Sequence, residues 1–283
     1  MNKLAITIGF AEIAASMNNQ TFELAVVNSL QSVRQVEGHL TDREIRCLTL
    51  LAAVPSSHGT ILEIGSFKGR STIVLAKSAA LAGETKIVAV DPLTSPSKTC
   101  PDLRGQASGW HDFQNNLNTA GVAPAVEFHQ EFSQDLAAKW DASRKIRFLW
   151  IDGDHTYAGA KRDLDCFRPF LANGAIVAMH DVLHSHDGPV RVFSEDILLS
   201  PHFGPFGLSG SIAWAQYFTS PDASIPFRAQ KVEAYRRLTK LVALSVFDEP
   251  LTGWRRFRYK FARAAVPHGD MDAEAFQRQI LPV

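Results

Sequence analysis

The chain has 283 residues and a formal net charge of zero, and hydrophobic residues make up 46% of it. That length and apolar content suit one large domain with appended arms, and without a global basic excess nucleic acid is not expected as a partner. The 3 cysteines are far apart and lack CxxC spacing, which argues against a disulfide scaffold or a cysteine zinc site. We expect a cytoplasmic protein, because Glu12 interrupts the first apolar run and no stretch approaches the ~20 apolar residues that span a bilayer.

The predicted elements alternate between short apolar strands and helices. After a weakly patterned helical stretch over 1–40, Thr41 and Glu44 form a capping box that begins a helix running to about Val54. The predicted strands are Thr60–Ile64, Lys86–Val90, Val126–His129, Ile146–Ile151, Ala175–Met179 and Gly210–Tyr217. The later predicted helices are Ser71–Leu81, Trp110–Thr119, Phe132–Trp140, Tyr157–Phe170, 229–246 and 251–265. We expect the stretch from Asp181 to Ile197 to be loop-rich.

Strands that alternate with helices predict an α/β fold with a doubly wound, mostly parallel sheet. We expect this domain over residues 41–220, with a helical N-terminal extension over 1–40 and a helical C-terminal extension over 221–283. The long loops at 92–109 and 183–210 are the expected places for substrate contacts, because loops on a rigid scaffold usually carry specificity.

The segment ILEIGSFKGRS, at Ile61–Ser71, runs from a strand into a glycine turn that opens a helix. Such a turn lets backbone N–H groups approach a ligand closely, and the helix N-terminus favours negative charge. The dinucleotide pattern GxGxxG is absent. Asp91 ends the next strand, where a carboxylate can accept hydrogen bonds from ribose hydroxyls. An ordinary turn without a cofactor and a degenerate nicotinamide site remain the alternatives.

The spacing Glu-x-Gly-x-x-x-Gly-x-Ser resembles motif I of class I methyltransferases, which use S-adenosylmethionine (SAM). The resemblance implies a Rossmann-like, seven-stranded sheet. It also implies that Gly65 and Gly69 line the methionine part of SAM, that Glu63 supports the turn or the amino group, and that Asp91 binds the ribose. The remaining predicted SAM contacts are Ser66, Ser71, Gln130, Ser133 and Asp152.

Acidic residues and histidines follow the fourth and fifth predicted strands, in IDGDHTY at Ile151–Tyr157 and in MHDV at Met179–Val182. Because the carboxyl ends of adjacent parallel strands line one crevice, we expect Asp152 and Asp181 to lie close together. Carboxylates and imidazoles that converge in this way suit a divalent metal. Mg²⁺, which prefers oxygen ligands, is the expected metal, and an imidazole ligand leaves Mn²⁺ or Fe²⁺ open.

This pattern resembles metal-dependent macrolide-sugar O-methyltransferases and proteins labelled cephalosporin hydroxylases, over about residues 40–217. It is more distantly similar to catechol and caffeoyl-CoA methyltransferases. The resemblance implies that Asp152, His180 and Asp181 hold the metal and that His155 is the general base. The sugar enzymes carry an acidic residue where His180 stands, so Mg²⁺ should bind more weakly here, and His180 could instead contact substrate.

The expected function is therefore SAM-dependent, metal-assisted methylation of a hydroxyl on a sugar or glycosylated natural product. An alternative is a module of a polysaccharide or secondary-metabolite pathway that binds SAM or sugar without methylating, or that carries out a metal-dependent oxidation. Methylation of nitrogen is less expected, because the chain lacks an Asn/Asp-Pro-Pro-Tyr type motif. A homo-oligomer remains open.

Several other polar residues near these motifs are given structural roles. We expect Asp154 to cap a turn or helix, and Asp163 and Asp165 to lie on a solvated helix face. The histidines and the acid of the segment HSHD, His184, His186 and Asp187, could form a second metal cluster, but a loop with chance histidines is the favoured interpretation.

The segment Gly253–Ala264 interleaves basic and aromatic residues. The i, i+3, i+7 spacing of Trp254, Phe257 and Phe261 favours an amphipathic helix that packs these rings onto the body or onto a second subunit. Contact with a membrane surface or another anionic partner is the alternative.

Overall fold

The computed structural model describes residues 17–93, 109–245 and 251–281. Predictions for 1–16, for most of the 92–109 loop and for Cys100 lie outside the described residues. The strands are β1 (Thr60–Ile64), β2 (Ile87–Val90), β3 (Val126–His129), β4 (Ile146–Ile151), β5 (Leu171–Met179), β6 (Phe203–Ser209) and β7 (Ile212–Tyr217). The helices are α1 (Asn19–Ser32), α2 (Asp42–Ala53), α3 (Arg70–Leu81), α4 (Trp110–Thr119), α5 (Ser133–Ala138), α6 (Tyr157–Phe167), α7 (Asp187–Arg191), α8 (Arg228–Val242), α9 (Gly253–Ala264) and α10 (Ala273–Gln279).

The seven strands form a single sheet in the order β3-β2-β1-β4-β5-β7-β6. The first five strands of that order are parallel, whereas β7 runs antiparallel to both β5 and β6. The fold class predicted from the sequence, a doubly wound and mostly parallel Rossmann-like sheet, is confirmed.

Helices cover both faces of the sheet, which explains why its central strands are continuously apolar. In β4, Phe148 and Trp150 belong to the core on one face, together with Leu48 of α2. Leu149 and Ile151 belong to the core on the other face, together with Leu164 of α6. This alternation fixes the strand register, because a slip of one residue would exchange the two faces.

The prediction that the stretch from Asp181 to Ile197 is loop-rich is wrong over the second half of that stretch. Helix α7 continues into a π-helical segment, Val192–Leu198, and strand β6 follows. Val190, Phe193 and Ile197 are completely buried. Their spacing of three and four residues is helical, but the preceding polar run SHDG hides it.

Other element boundaries shift by a few residues. Helix α6 ends at Phe167 and a 3₁₀ turn follows at Arg168–Phe170, since Pro169 lacks the N–H that would continue the helix. Helix α5 is shorter than predicted, and β5 begins earlier, at Leu171.

Helix α9, in the C-terminal extension, contradicts the prediction that its aromatic stripe packs onto the body, while packing onto a second subunit stays a prediction. Trp254, Phe257 and Phe261 are 71%, 58% and 75% exposed, and Tyr259 is the buried aromatic residue of the helix. The alternation of basic and aromatic residues does not show which ring faces inward. Over the described residues, none of the helices has the length and apolar content to cross a bilayer.

Candidate active site

Strand register brings the predicted site residues to one edge of the sheet. Ile64 at the end of β1 pairs with Val90 of β2 and with Ile151 of β4, and Ile151 pairs with Met179 of β5. The residues that follow these strand ends therefore lie side by side at the carboxyl edge. They are Gly65, Asp91, Asp152 and His180.

The glycine turn is packed directly against the end of β4. Gly65 has φ +87°, and a Cβ placed on it would lie 2.2 Å from the carbonyl oxygen of Asp152. Gly69 also has φ +87°, and a Cβ there would lie 2.6 Å from a side-chain carbon of Leu117. Gly65 therefore requires glycine for conformation and for space, whereas Gly69 requires it for conformation. The turn places backbone N–H groups at the start of α3, beside the cluster that follows β4.

Glu63 is completely buried beneath this turn. Its Oε2 accepts hydrogen bonds from the hydroxyls of Ser66, at 2.9 Å, and Thr72, at 2.5 Å. Its Oε1 has no hydrogen-bond partner among the described residues. Burial raises the pKa of Glu63 to about 7, although the hydroxyls of Ser71, Thr72 and Ser66 oppose the rise. An unpaired buried carboxylate oxygen at this position fits the ammonium group of the methionine part of SAM.

Asp91 holds the turn from the neighbouring strand. Its Oδ2 accepts hydrogen bonds from the backbone N–H groups of Ser66, at 2.7 Å, and Phe67, at 2.8 Å, and its Oδ1 accepts one from Leu93, at 2.7 Å. Phe67 has φ +47°, so this carboxylate secures a strained segment of the turn. Oδ2 already accepts two hydrogen bonds, so Oδ1 is the oxygen that retains the acceptor capacity needed for the predicted ribose contact.

The three predicted metal ligands lie together. The Nδ1 atom of His180 is 3.1 Å from Oδ1 of Asp152 and 3.4 Å from Oδ1 of Asp181. One ligand atom from each residue can be chosen so that all three lie within 4.8 Å of one another. Two carboxylates and an imidazole nitrogen at this spacing fit a divalent ion.

The electrostatics of the cluster are dominated by opposite charges. Burial opposes ionisation of Asp152, but the imidazoles of His180 and His155 outweigh it and lower the pKa of Asp152 to about 2. Burial also disfavours the charged form of His180, yet the carboxylates of Asp152 and Asp181 raise its pKa well above the ordinary value. The site is therefore built to hold positive charge between two carboxylates.

Glu44 is a further residue of the site, and its sequence pattern indicated only a helix cap. Its Oε2 accepts the predicted capping-box hydrogen bond from the N–H of Thr41, at 2.8 Å, and also lies 3.7 Å from Nε2 of His180. Its Oε1 accepts from the N–H and the hydroxyl of Ser211, at 2.7 and 2.6 Å. Only 4% of Glu44 is exposed, which is unusual for a capping residue. A carboxylate behind a histidine whose other nitrogen faces a metal is a common means of orienting that histidine.

The predicted base, His155, borders the cluster. Its Nε2 lies 3.4 Å from Oδ2 of Asp181 and 3.9 Å from Oδ1 of Asp152. Burial lowers the pKa of His155, but these carboxylates outweigh burial and raise it above the ordinary value. The ring stacks on His186, with centroids 4.8 Å apart.

His186 therefore lies beside the candidate site. It can form a second potential ligand set with His155 and Asp181. Burial, together with the nearby His155, lowers the pKa of His186 to about 4, so its ring is neutral near pH 7. In the sequence, the segment HSHD is the pattern that could have indicated this position of His186.

The remaining predicted SAM contacts differ in their surroundings. Ser66 and Ser71 are buried in the turn and at the start of α3, whereas Gln130 is exposed after β3. The hydroxyl of Ser133 donates to Oδ1 of Asp163 at 2.5 Å. Their contacts with SAM stay predictions.

The nearby acidic residues of α6 correct one expectation. Asp163 is buried, and burial raises its pKa to about 6, so its predicted place on a solvated face is wrong. Gly153 lies against it, with a Cβ position 2.9 Å from Oδ2 of Asp163. Asp165 is exposed as predicted, and Asp154 closes a turn by accepting from the N–H of Thr156 at 2.8 Å.

Comparisons with known proteins agree with this architecture. Residues 62–182 match a family model described as a methyltransferase domain. The calicheamicin methyltransferase CalS11 superposes with a TM-score of 0.50 at 18% identity, over 73% of this chain and 89% of that chain. A protein from Corynebacterium glutamicum gives 0.52 at 16% identity, over 70% and 91%. The O-methyltransferase TomG from Streptomyces achromogenes, in complex with SAM, gives 0.49 at 20% identity, over 69% and 89%.

Proposed function

We propose that the chain is a SAM-dependent methyltransferase that methylates a hydroxyl oxygen with the help of a divalent metal, and the match of residues 62–182 to a family model described as a methyltransferase domain supports this. The observation that carries this proposal is the contact between the glycine turn and the end of β4. This contact supports the proposal because the glycine turn lies directly beside Asp152, which also belongs to the carboxylate and imidazole cluster.

SAM supplies an activated methyl group on a positively charged sulfur. In this proposal Oε1 of Glu63 pairs with the ammonium group, because that oxygen is buried and lacks another partner among the described residues. Asp91 binds the ribose while it holds the N–H groups of Ser66 and Phe67. The chain's task is then to align the acceptor oxygen with the methyl group and to remove a proton.

Asp152, Nδ1 of His180 and Asp181 would hold the metal. When bound, the ion supplies positive charge that stabilises the alkoxide developing on the acceptor. Glu44 orients His180 from behind, and an imidazole ligand favours Mn²⁺ or Fe²⁺ more than an all-oxygen site would. Asp152 and Asp181 favour the protonated form of His180. Nδ1 of His180 would have to lose its proton before it could bind a metal.

His155 removes the proton of the acceptor hydroxyl. Asp152 and Asp181 raise its pKa against the effect of burial, and a divalent ion held by the same carboxylates would offset that rise and favour the neutral ring that accepts the proton. The stack on His186 limits rotation of the ring. The proposed acceptor class, a sugar or glycosylated natural product, rests on the similarity of the IDGDHTY and HD patterns to the macrolide-sugar enzymes.

Transfer of a labelled methyl group tests the proposal. The purified chain is incubated with methyl-labelled SAM and a panel of glycosylated macrolides and free sugars, with and without EDTA. We expect label in an O-methyl product, loss of transfer with EDTA, and recovery when Mn²⁺ is added in excess.

Asp181→Asn should abolish metal-dependent transfer, whereas Asp165→Asn, at an exposed carboxylate of α6, should leave it unchanged. Transfer that survives EDTA and Asp181→Asn would remove the metal from the mechanism. Label found only on nitrogen would overturn the proposed acceptor atom.

A further inference from the structure

Helix α9 exposes a stripe of aromatic rings that nothing else in the described chain covers. Trp254 and Phe257 stack with their centroids 5.1 Å apart, and Phe261 continues the same face one turn later. At 100° per residue, Tyr259 falls on the opposite side of the helix. Trp254, Phe257 and Phe261 together form the aromatic stripe of α9.

The opposite side of α9 fixes the helix to the body. Tyr259 is buried, and its hydroxyl donates to the backbone carbonyl of His184. Nearby, Nη1 of Arg237 on α8 donates to the carbonyl of Ala265 at 2.9 Å, just after α9 ends. The aromatic stripe is therefore held outward by contacts on the other face of the helix.

The charges of α9 indicate what the aromatic stripe meets. The helix has 12 residues and no acidic side chain, and its basic residues are Arg255, Arg256, Arg258, Lys260 and Arg263. Arg258 and Lys260 lie on the two sides of the stripe, where long cationic side chains can reach outward while the rings point between them. Aromatic rings between basic side chains are typical of helices that lie in the interface of an anionic bilayer.

We propose that α9 docks the protein onto the surface of an anionic lipid bilayer, with the aromatic stripe in the interfacial layer. A symmetric contact with a second copy is disfavoured, since it would bring two helices with only basic charges against each other. Because Tyr259 contacts the residue two positions before His186, docking would hold the bilayer next to the segment that carries part of the candidate site.

Vesicle sedimentation of the full chain tests this proposal without using methyl transfer, so its failure is separate from failure of the proposed function. We expect the protein to sediment with vesicles of phosphatidylcholine mixed with phosphatidylglycerol and not with phosphatidylcholine alone. Added salt should weaken the binding, because it screens the attraction between basic side chains and anionic head groups.

Matched double variants separate the aromatic stripe from general surface effects. Phe257→Ser with Phe261→Ser should weaken binding roughly tenfold or more. Leu24→Ser with Ile225→Ser changes residues that are 68% and 64% exposed elsewhere, and should leave binding unchanged.

A second pair tests the charges and still decides the question if the serine variant fails to fold. Arg255→Glu with Arg258→Glu should also weaken binding roughly tenfold or more. The control, Lys145→Glu with Arg278→Glu, makes the same charge change at exposed positions outside α9 and should bind as the natural protein does.

Fluorescence locates the contact. A blue shift of emission on adding anionic vesicles should disappear in Trp254→Phe, while sedimentation persists because a ring remains. The proposal is overturned if the protein stays in solution with anionic vesicles, or if both α9 double variants bind as tightly as their controls. Dimerisation that depends on the aromatic stripe, without vesicle binding, would assign the stripe to a second copy and also overturn it.

Discussion

Gly65→Ala tests the contact between the glycine turn and β4. At φ +87° an alanine is strained by ~1–2 kcal/mol. Its Cβ would also lie 2.2 Å from the carbonyl oxygen and 2.6 Å from the carbonyl carbon of Asp152. These are backbone atoms that cannot rotate away, and overpacking of this kind costs ~1–3 kcal/mol. We expect the free energy of unfolding to fall by about 2–5 kcal/mol.

Gly83→Ala is the matched control. Gly83 has φ +80°, but a Cβ there meets nothing within 4 Å among the described residues, so only the conformational strain applies. Urea unfolding of both variants measures the difference, and calorimetry measures SAM affinity. Because Asp152 must move in Gly65→Ala alone, SAM should bind more weakly to that variant and normally to Gly83→Ala. Equal unfolding free energies together with equal SAM affinities would refute the proposed contact.

Three further variants test individual groups of the site. Glu44→Gln should lower Mn²⁺ affinity roughly tenfold or more, because it removes the charge behind His180, and calorimetry with exposed Glu37→Gln as control checks this. His155→Asn should lower kcat by roughly 10²-fold with unchanged SAM affinity; an unchanged kcat would remove His155 as the base. Glu63 has a folded pKa of about 7 and an ordinary value of 4.5, so the native state binds more protons between these values and stability falls as pH rises through them. Urea unfolding across that range should lose this slope in Glu63→Gln, and a slope that persists would contradict the assignment.

The sequence predicted the parts of the site that follow from strand patterning. Short apolar runs mark the central strands, and the carboxyl ends of parallel strands meet at one edge. That reasoning brings Asp152 and Asp181 together, although 29 positions separate them, and a ligand atom of each does lie within 4.8 Å of the other. The spacing of the glycines after the first strand likewise predicted the turn at Gly65 and Gly69.

Contacts made across the fold could not be read from local pattern. The capping box predicts that Glu44 lies at the start of a helix. The hydrogen bonds between Glu44 and Ser211, however, join residues that are 167 positions apart. Asp163 looks like an ordinary helix-surface residue until Ser133 and Gly153 are seen to enclose it. Such pairings depend on how α2, α5 and α6 pack, and periodicity carries no information about them.

The prediction that α9 packs its aromatic rings onto the body failed for a different reason. Hydrophobic periodicity shows that one side of a helix is apolar, but it does not show that the body offers a surface to cover it. A single residue outside the stripe, Tyr259, supplies the buried aromatic contact of this helix. The exposed stripe was therefore visible only once the neighbours of α9 were known.

Titration with Mn²⁺ in the presence of S-adenosylhomocysteine, followed by electron paramagnetic resonance, tests the central claim most directly. If Asp152, His180 and Asp181 hold a metal beside the SAM cradle, the natural chain should bind Mn²⁺ stoichiometrically. Asp181→Asn should lose this binding, and Asp165→Asn should retain it. A natural chain that leaves Mn²⁺ free in solution, or an Asp181→Asn variant that binds it equally well, would contradict the account.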